Sequence, residues 1–255
     1  LRKGNLSFTS EPSLLGDCDA IVIAVPTPID ENQKPDLTNL VDAVDTISKI
    51  LKKPTLIINE STSFPGTLRK IIAEKINKEI NNRFYVYYAT SPERVDPGNK
   101  TWNLKNTPRI ISGLDEDSIN LAKELYSKFC IHLVEVDTPE IAEFAKLFEN
   151  TFRQVNIALV NEFSMLLDRL NISPEKVLNA AATKPFGFMK FKPGIGVGGH
   201  CIPVDPLYLS YFSEQNELNF SSIENANRIN RQMPRYKGSQ IMNLLGGNLK
   251  NKKIL

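Results

Sequence analysis

Cys201 closes a glycine-built stretch, Lys192-Pro193-Gly194-Ile195-Gly196-Val197-Gly198-Gly199-His200-Cys201, and Asp205 follows four residues on. Four glycines keep Cβ atoms out of the way and permit positive φ, so this backbone can come close to a ligand. A sulfur held there reads as a nucleophile: a thiolate attacks carbonyl carbon well, and a covalent adduct divides a difficult oxidation into easier steps. Upstream, Lys146, Asn150 and Arg153 fall at i, i+4 and i+7, so they project from one face of a helix. A lysine and an asparagine one turn apart stabilise a developing oxyanion, or hold a water, through their N–H donors. Asp205, or Glu93 acting through water, can then serve as base for hydrolysis of a thioester. The plainer readings are a flexible surface turn for the glycines and a snorkelling lysine on a solvated stripe for Lys146.

Gly194, Gly196 and Gly199 formally satisfy G-x-G-x-x-G, the dinucleotide fingerprint. That fingerprint works only between a strand and a helix N-terminus, where helix amides meet a pyrophosphate. The preceding run Thr183-Lys184-Pro185-Phe186-Gly187-Phe188 is no strand, and Pro203 and Pro206 are expected to forbid a regular helix immediately after. The loop is therefore read as a close-approach floor for a ligand, with Gly194, Gly198, Gly199 and His200 facing it.

Several elements must position these residues. Ala20 to Val25, Thr55 to Asn59 and Phe84 to Ala89 are near-continuous β-branched and aromatic runs, the pattern of strands buried on both faces. Helical patterns at Leu37 to Leu51 and Thr67 to Ile80 separate them, which implies right-handed crossovers and a parallel, doubly wound sheet. Shorter strands at Arg109 to Ser112 and Ile131 to Val136 flank a helix near Glu116 to Phe129. Polar loops follow the three main strands: Pro26-Thr27-Pro28, Glu60-Ser61-Thr62 and Ser91-Pro92-Glu93-Arg94. Open α/β sheets bind ligands at that edge, so these loops are expected to line one crevice, with Pro26, Thr27, Ser61 and Thr62 on the cofactor side.

From Pro139 the period becomes helical, with Thr138 as N-cap, and runs without internal Pro or Gly to about Leu170. At 1.5 Å per residue that is roughly 48 Å, long enough to cross between domains or to form a dimer interface. Phe144, Leu147, Phe148 and Phe152 surround the polar trio, which predicts a narrow polar stripe on a mostly apolar helix. Ser222 to Leu245 is also helical, with Pro234 expected to interrupt it, and Gly246-Gly247-Asn248 reads as a stop and linker.

The chain has 255 residues, 41% hydrophobic and 24% charged, which fits one large or two moderate globular cores and argues against disorder. A net charge of +2, with no basic run interleaved with aromatics, makes nucleic acid an unexpected partner. No apolar stretch approaches the roughly 20 residues that span a bilayer, and no basic-then-apolar leader opens the chain, so no membrane partner and a cytoplasmic setting are expected. Three cysteines make no disulfide framework, and two histidines build no convincing metal site with them; Cys18 and Cys130 read as small buried residues. With a nicotinamide in the crevice beside Thr62, the residues together take an alcohol through an aldehyde, a cysteine thiohemiacetal and a thioester to an acid. That is a four-electron oxidation.

The order Val25-Pro26-Thr27-Pro28, Glu60-Ser61-Thr62-Ser63-Phe64-Pro65-Gly66-Thr67, Ser91 to Asn99, Phe144-Ala145-Lys146-Leu147 with Asn150, and Gly198-Gly199-His200-Cys201 with Asp205 resembles the UDP-sugar 6-dehydrogenases along essentially the whole chain. The resemblance implies NAD as cofactor, a UDP-sugar substrate and a homodimer or higher homo-oligomer through a central helical domain. It implies Cys201 as nucleophile, Lys146 and Asn150 as the oxyanion and water-handling pair, and Asp205 as the cysteine's partner. Thr62 becomes a water-positioning group and Glu93 a contributor to thioester hydrolysis. Ser-Pro-Glu-Arg, and Pro-Phe-Gly-Phe-Met before Lys-Pro-Gly, look like the branch acting on UDP-N-acetylhexosamines, UDP-N-acetylglucosamine first. There Arg94, Val95 and Arg153 are expected to help bind substrate, and Arg228 to reach a diphosphate, across a dimer. UDP-glucose enzymes carry an aromatic or leucine after that glutamate and a second glutamate four residues on, where this chain has Arg94 and Pro97.

The resemblance also implies a fold: a partial doubly wound parallel sheet, an NAD domain without its first βαβ unit (1–137), then a central helical substrate and dimerisation domain (138–247) and the first residues of a UDP-binding domain (248–255). On that reading the chain is cut at both ends and alone turns over little. The competing enzyme class is the two-electron β-hydroxyacid dehydrogenases, which pair a similar lysine and asparagine but need no cysteine. UDP-N-acetylmannosamine and UDP-glucose remain alternative substrates, and a nucleotide sensor with an oligomerisation arm is the non-enzyme alternative.

Overall fold

A computed structural model of the chain describes residues 6–81, 83–96, 98–247 and Lys253. The expected start of a further domain at 248–255 lies outside these, Lys253 excepted. Two compact units divide within one long helix, Leu1–Leu147 and Phe148–Leu255.

The first unit is built on a five-stranded sheet in the order β1 (Ala20–Ile23), β2 (Thr55–Asn59), β3 (Val86–Thr90), β4 (Arg109–Gly113), β5 (Leu133–Glu135). The first three strands run parallel, with Ile21 opposite Ile57 and Ile57 opposite Tyr88. β4 pairs antiparallel to β3, with Thr90 opposite Ser112, and β5 runs parallel to β4. This corrects the all-parallel expectation. A parallel neighbour needs a crossover, usually a helix, and the described residues between β3 and β4 form only turns, so the chain doubles back.

Side-chain alternation along the strands explains the two cores. Ile21, Ile23, Ile57, Val86 and Tyr88 face α1 (Thr38–Ile50), a π-helical segment (Leu68–Ala73) and α2 (Glu74–Ile80), which continues from it. Leu56, Ile58, Ala89 and Ile111 face the other way, onto Ala122 and Tyr126 of α3 (Glu116–Tyr126). Helices thus cover both faces of the sheet. α3 is started by Asp115, whose carboxylate accepts the Ser118 N–H, with Glu116 and Asp117 complementing the helix dipole in the first turn. α2 stops at Asn81, whose φ of +48° is a left-handed cap. Cys130 is buried as expected; Cys18 is only partly so.

α4 (Pro139–Arg169) has 31 residues, about 46 Å of helix. Its buried face is mixed: Glu143, Asn150, Thr151, Gln154, Asn161 and Ser164 are buried alongside Ala142, Leu147, Ala158, Val160 and Leu167, whereas Phe144, Phe148, Phe152, Leu159 and Leu166 are exposed. Of the polar trio, Asn150 is buried, Lys146 half-buried and Arg153 exposed, so the stripe runs from the interior to the surface.

The second unit adds α5 (Pro174–Ala181), α6 (Asp205–Glu214) and α7 (Ser221–Leu244). Ala158 of α4 packs on Ala226 and Ile229 of α7. Two proline expectations are corrected here. A regular helix does follow the glycine loop, because Pro206 falls in the first turn of α6, where its missing N–H would have had no helical partner. Pro234 does not interrupt α7, which runs unbroken through it.

Candidate active site

At the carboxyl ends of β1 and β2, the Ser61 hydroxyl accepts the Val25 N–H at 2.8 Å and donates to the Ile23 carbonyl at 3.4 Å. Ser61 therefore pins the two strand ends together. Pro26 is exposed beside it, and Thr27 and Thr62 are half-buried, so these three offer surface to a ligand. Farther along the Glu60–Thr67 loop, Glu143 of α4 inserts its carboxylate into the start of the π-helical segment. It accepts the N–H of Gly66 at 2.7 Å and of Leu68 at 3.0 Å. Gly66 adopts φ +93°, which a side chain would strain. Burial is the main influence on Glu143 and pushes its carboxyl up to about 7, against the pull of the two amides.

The loop after β3 is organised around Glu93. One carboxylate oxygen accepts the N–H groups of Arg94 and Val95, both at 2.7 Å, and the other accepts from Arg109 Nη1 at 2.9 Å. Arg109 is buried at the start of β4, and its fork also reaches the Ser91 hydroxyl at 2.7 Å, the Ser91 carbonyl at 3.2 Å and the carboxylate of Glu60. Tyr126 of α3 lies under the guanidinium at 4.5 Å and donates its hydroxyl to the same Glu60 carboxylate. One buried cation thus ties the ends of β2, β3 and β4. Burial alone would raise the Glu93 pKa, but the Val95 amide and Arg109 outweigh it and hold the carboxylate below its ordinary range. The Tyr126 hydroxyl is pushed up by burial and by Glu60, so it stays protonated as a donor. Arg94 turns its guanidinium to the Pro108 carbonyl at 2.8 Å. Lys146, two turns into α4, donates to the main-chain oxygen of Glu93 at 2.5 Å.

In the second unit Asn150 is buried, and its amide donates to the Asp205 carboxylate at 2.6 Å. Asp205 opens α6, and its own N–H, with that of Val204, bonds back to the Cys201 carbonyl at 2.8 and 3.1 Å. The cysteine's main chain is therefore continuous with the first turn of α6, whose first residue carries the carboxylate. Cys201 and His200 are exposed, as are Gly198, Gly199, Arg153 and Arg228, while Gly194 is partly buried. No strand precedes the glycine loop, which agrees with rejecting a dinucleotide fingerprint there.

Profile comparison matches residues 1–130 to the UDP-glucose/GDP-mannose dehydrogenase family NAD binding domain, and 140–232 to the central domain of the same family. The chain belongs to the UDP-glucose/GDP-mannose dehydrogenase family. Its relatives in that family include the UDP-N-acetyl-D-glucosamine 6-dehydrogenase of Salmonella typhi, 38% identical over 258 residues, covering 98% of this chain and 60% of the relative. The UDP-N-acetyl-D-mannosamine dehydrogenase of Methanococcus aeolicus is 40% identical over 245 residues, covering 95% of this chain and 53% of the relative. Among solved structures, UDP-D-ManNAc dehydrogenase from Pyrococcus horikoshii superposes with a TM-score of 0.85 at 35% identity, over 93% of this chain and 56% of that one. The chain thus spans between half and two thirds of the length of these family members. The NAD binding domain match indicates NAD as the cofactor, and the half-buried threonines at the pinned ends of β1 and β2 fit that group at the rim of an open α/β sheet. No helix among the described residues is long and apolar enough to cross a membrane.

Reading the sequence overlooked Arg109, Glu60, Tyr126 and Glu143. A signal existed for Arg109, since a charge opening an otherwise apolar strand has to find carboxylates, and Glu60 and Glu93 stand in two of the rim loops.

Proposed function

We propose that the protein carries out an NAD-dependent four-electron oxidation of the C6 hydroxyl of a UDP-N-acetylhexosamine, UDP-N-acetylglucosamine first, to the uronic acid. The observation that carries this reading is the linkage of Cys201, Asp205 and Asn150: a thiol-bearing residue whose main chain caps a helix that starts on a carboxylate hydrogen-bonded by an amide. Bound NAD supplies the hydride acceptor for each of the two oxidation steps.

The chain's own residues do the rest. Cys201 attacks the C6 aldehyde carbon, and its S–C bond gives a thiohemiacetal whose oxidation leaves a thioester. Lys146 and Asn150 stabilise the oxygen that gains charge, with Lys146 exchanging its resting Glu93 carbonyl for the substrate oxygen. Water then cleaves the thioester, releasing the thiol and the acid, with Asp205 as the base and Thr62 orienting the water. Glu93, whose carboxylate is already filled by Arg94, Val95 and Arg109, serves the hydrolysis step by holding the loop rather than by taking a proton. Gly194, Gly198, Gly199 and His200 form the floor under the sugar, and Arg94, Val95, Arg153 and Arg228 contribute to substrate binding. Residues 1–137 act as the NAD-binding part and 138–247 as the central substrate-binding part. The exposed row Phe144, Phe148, Phe152 and Leu159 supports a homodimer through α4.

Product stoichiometry in the full-length protein tests this. Two NADH per sugar are expected; one per substrate would indicate a two-electron dehydrogenase instead. Comparing UDP-N-acetylglucosamine, UDP-N-acetylmannosamine and UDP-glucose settles the sugar. Unaltered acid formation by Cys201→Ser would end the covalent route, since a hydroxyl is a far weaker nucleophile at neutral pH.

A further inference from the structure

The glycine loop is held by a chain of buried amides on α4 and α7. The Gly194 N–H donates to Asn161 Oδ1 at 2.8 Å, Asn161 Nδ2 donates to Asn230 Oδ1 at 2.9 Å, and Asn230 Nδ2 donates to the Gln154 carbonyl at 3.1 Å. Asn161 and Asn230 are 0% and 3% exposed, so water does not compete for these bonds. Each amide both donates and accepts, which fixes its orientation and leaves no alternative flip that satisfies all three contacts.

The main chain of Asn230 makes a second contact. Its carbonyl oxygen lies against Gly196, so close that a Cβ built there would stand 2.4 Å away, and Gly196 adopts φ +105°. In an ordinary α-helix that carbonyl would receive the N–H of residue 234. Residue 234 is proline, which has no N–H and whose ring presses on the carbonyl four residues back. A proline in the middle of a helix is strongly disfavoured, yet α7 passes through it unbroken. The proline thus removes the usual helical donor from the same Asn230 oxygen that Gly196 packs against.

We infer that Asn161, Asn230 and Pro234 are positioning residues that set the glycine loop, and through it Cys201, for reaction. The inference rests on Cys201 being the nucleophile. Pro234→Ala restores a helical donor to the Asn230 carbonyl and improves helix propensity. It is expected to keep or raise the melting temperature while lowering kcat of the full-length enzyme on the order of tenfold, with KM for the UDP-sugar within about threefold. A merely structural proline would give the stability gain and no kinetic loss. Asn161→Ala is expected to lower kcat by at least as much, with partial recovery in Asn161→Gln.

Hydrogen exchange removes the dependence on turnover. The Gly194 amide should exchange at least on the order of a hundredfold more slowly than the Gly198 amide in the unsubstituted protein, and lose that protection in Asn161→Ala. Equal exchange at Gly194 and Gly198, or kcat within twofold of the parent in both Pro234→Ala and Asn161→Ala, overturns the proposal. Cys201→Ala separates the two readings: full acid formation by that variant would remove the nucleophile, while Gly194 protection would still report whether the amides hold the loop.

Discussion

The ammonium of Lys146 rests 2.5 Å from the carbonyl oxygen of Glu93, a residue whose side chain is locked to Arg109. The lysine is thereby held by a backbone group that, in the proposed reaction, a substrate oxygen replaces without leaving the charge unpaired. Lys146→Ala is expected to lower kcat by about 10²–10³, the usual effect of deleting one oxyanion donor, with a smaller change in KM. Steady-state kinetics on the full-length protein check this; a loss confined to KM would make Lys146 a ground-state binding group.

Arg109 supports three strand ends, so its loss should be felt in folding before it is felt in chemistry. Arg109→Met leaves Glu60 and Glu93 facing one another's charge without their shared cation, and is expected to destabilise the chain by about 3–5 kcal/mol at pH 7. The deficit should shrink as pH falls and the parent loses the stability that the lowered Glu93 carboxyl contributes. Arg109→Lys should recover little, because a point charge cannot reach Ser91, Glu60 and Glu93 together. Urea denaturation at pH 7 and pH 4.5 distinguishes these outcomes.

Glu143 predicts an unusual pH response. Its carboxyl is raised from 4.5 to about 7 in the folded chain, so between those values the native state holds a proton that the unfolded state has released. Stability therefore falls as pH rises through that window, by an order of magnitude of 3 kcal/mol, and levels off above pH 7. Glu93 has the opposite sign: its lowered carboxyl contributes stability above the ordinary glutamate range that is lost on acidification below it. Glu143→Gln should remove the decline between pH 5 and pH 7. A parent protein whose denaturation midpoint is flat across that window contradicts the assignment.

Much of the first unit was legible because its strands are apolar runs of β-branched residues, and periodicity reports such elements directly. The antiparallel β4 was not, since Arg109 to Ser112 carries no mark of direction and the turn-forming segment before it has no periodic signal. Pro206 and Pro234 misled for a related reason: a proline's effect depends on which N–H it replaces, and that is set by where the helix begins and by what approaches the freed carbonyl. Of the site, Lys146, Asn150 and Asp205 could be singled out from spacing. The buried side of α4 could not, because buried amides lie among its buried Leu147, Ala158 and Leu167 while phenylalanines stand exposed, which blurs the pattern on which such reasoning depends.

Asp205 offers the sharpest division between scaffold and chemistry. Its carboxylate accepts the Asn150 amide at 2.6 Å, and its N–H bonds the Cys201 carbonyl. In Asp205→Asn the main-chain bond is untouched and the new side-chain oxygen can still accept from Asn150, so the fold should remain within about 1 kcal/mol of the parent. The proposed base is lost, however, and acid formation should fall by about 10²–10⁴. Asn150→Ala does the reverse to stability, since it takes a donor from a buried carboxylate and should cost about 1.5–3 kcal/mol. Thermal melts and product assays on the two variants give the comparison. If Asp205→Asn forms acid at the parent rate, the proton from the attacking water goes elsewhere, and the carboxylate serves only to orient Asn150.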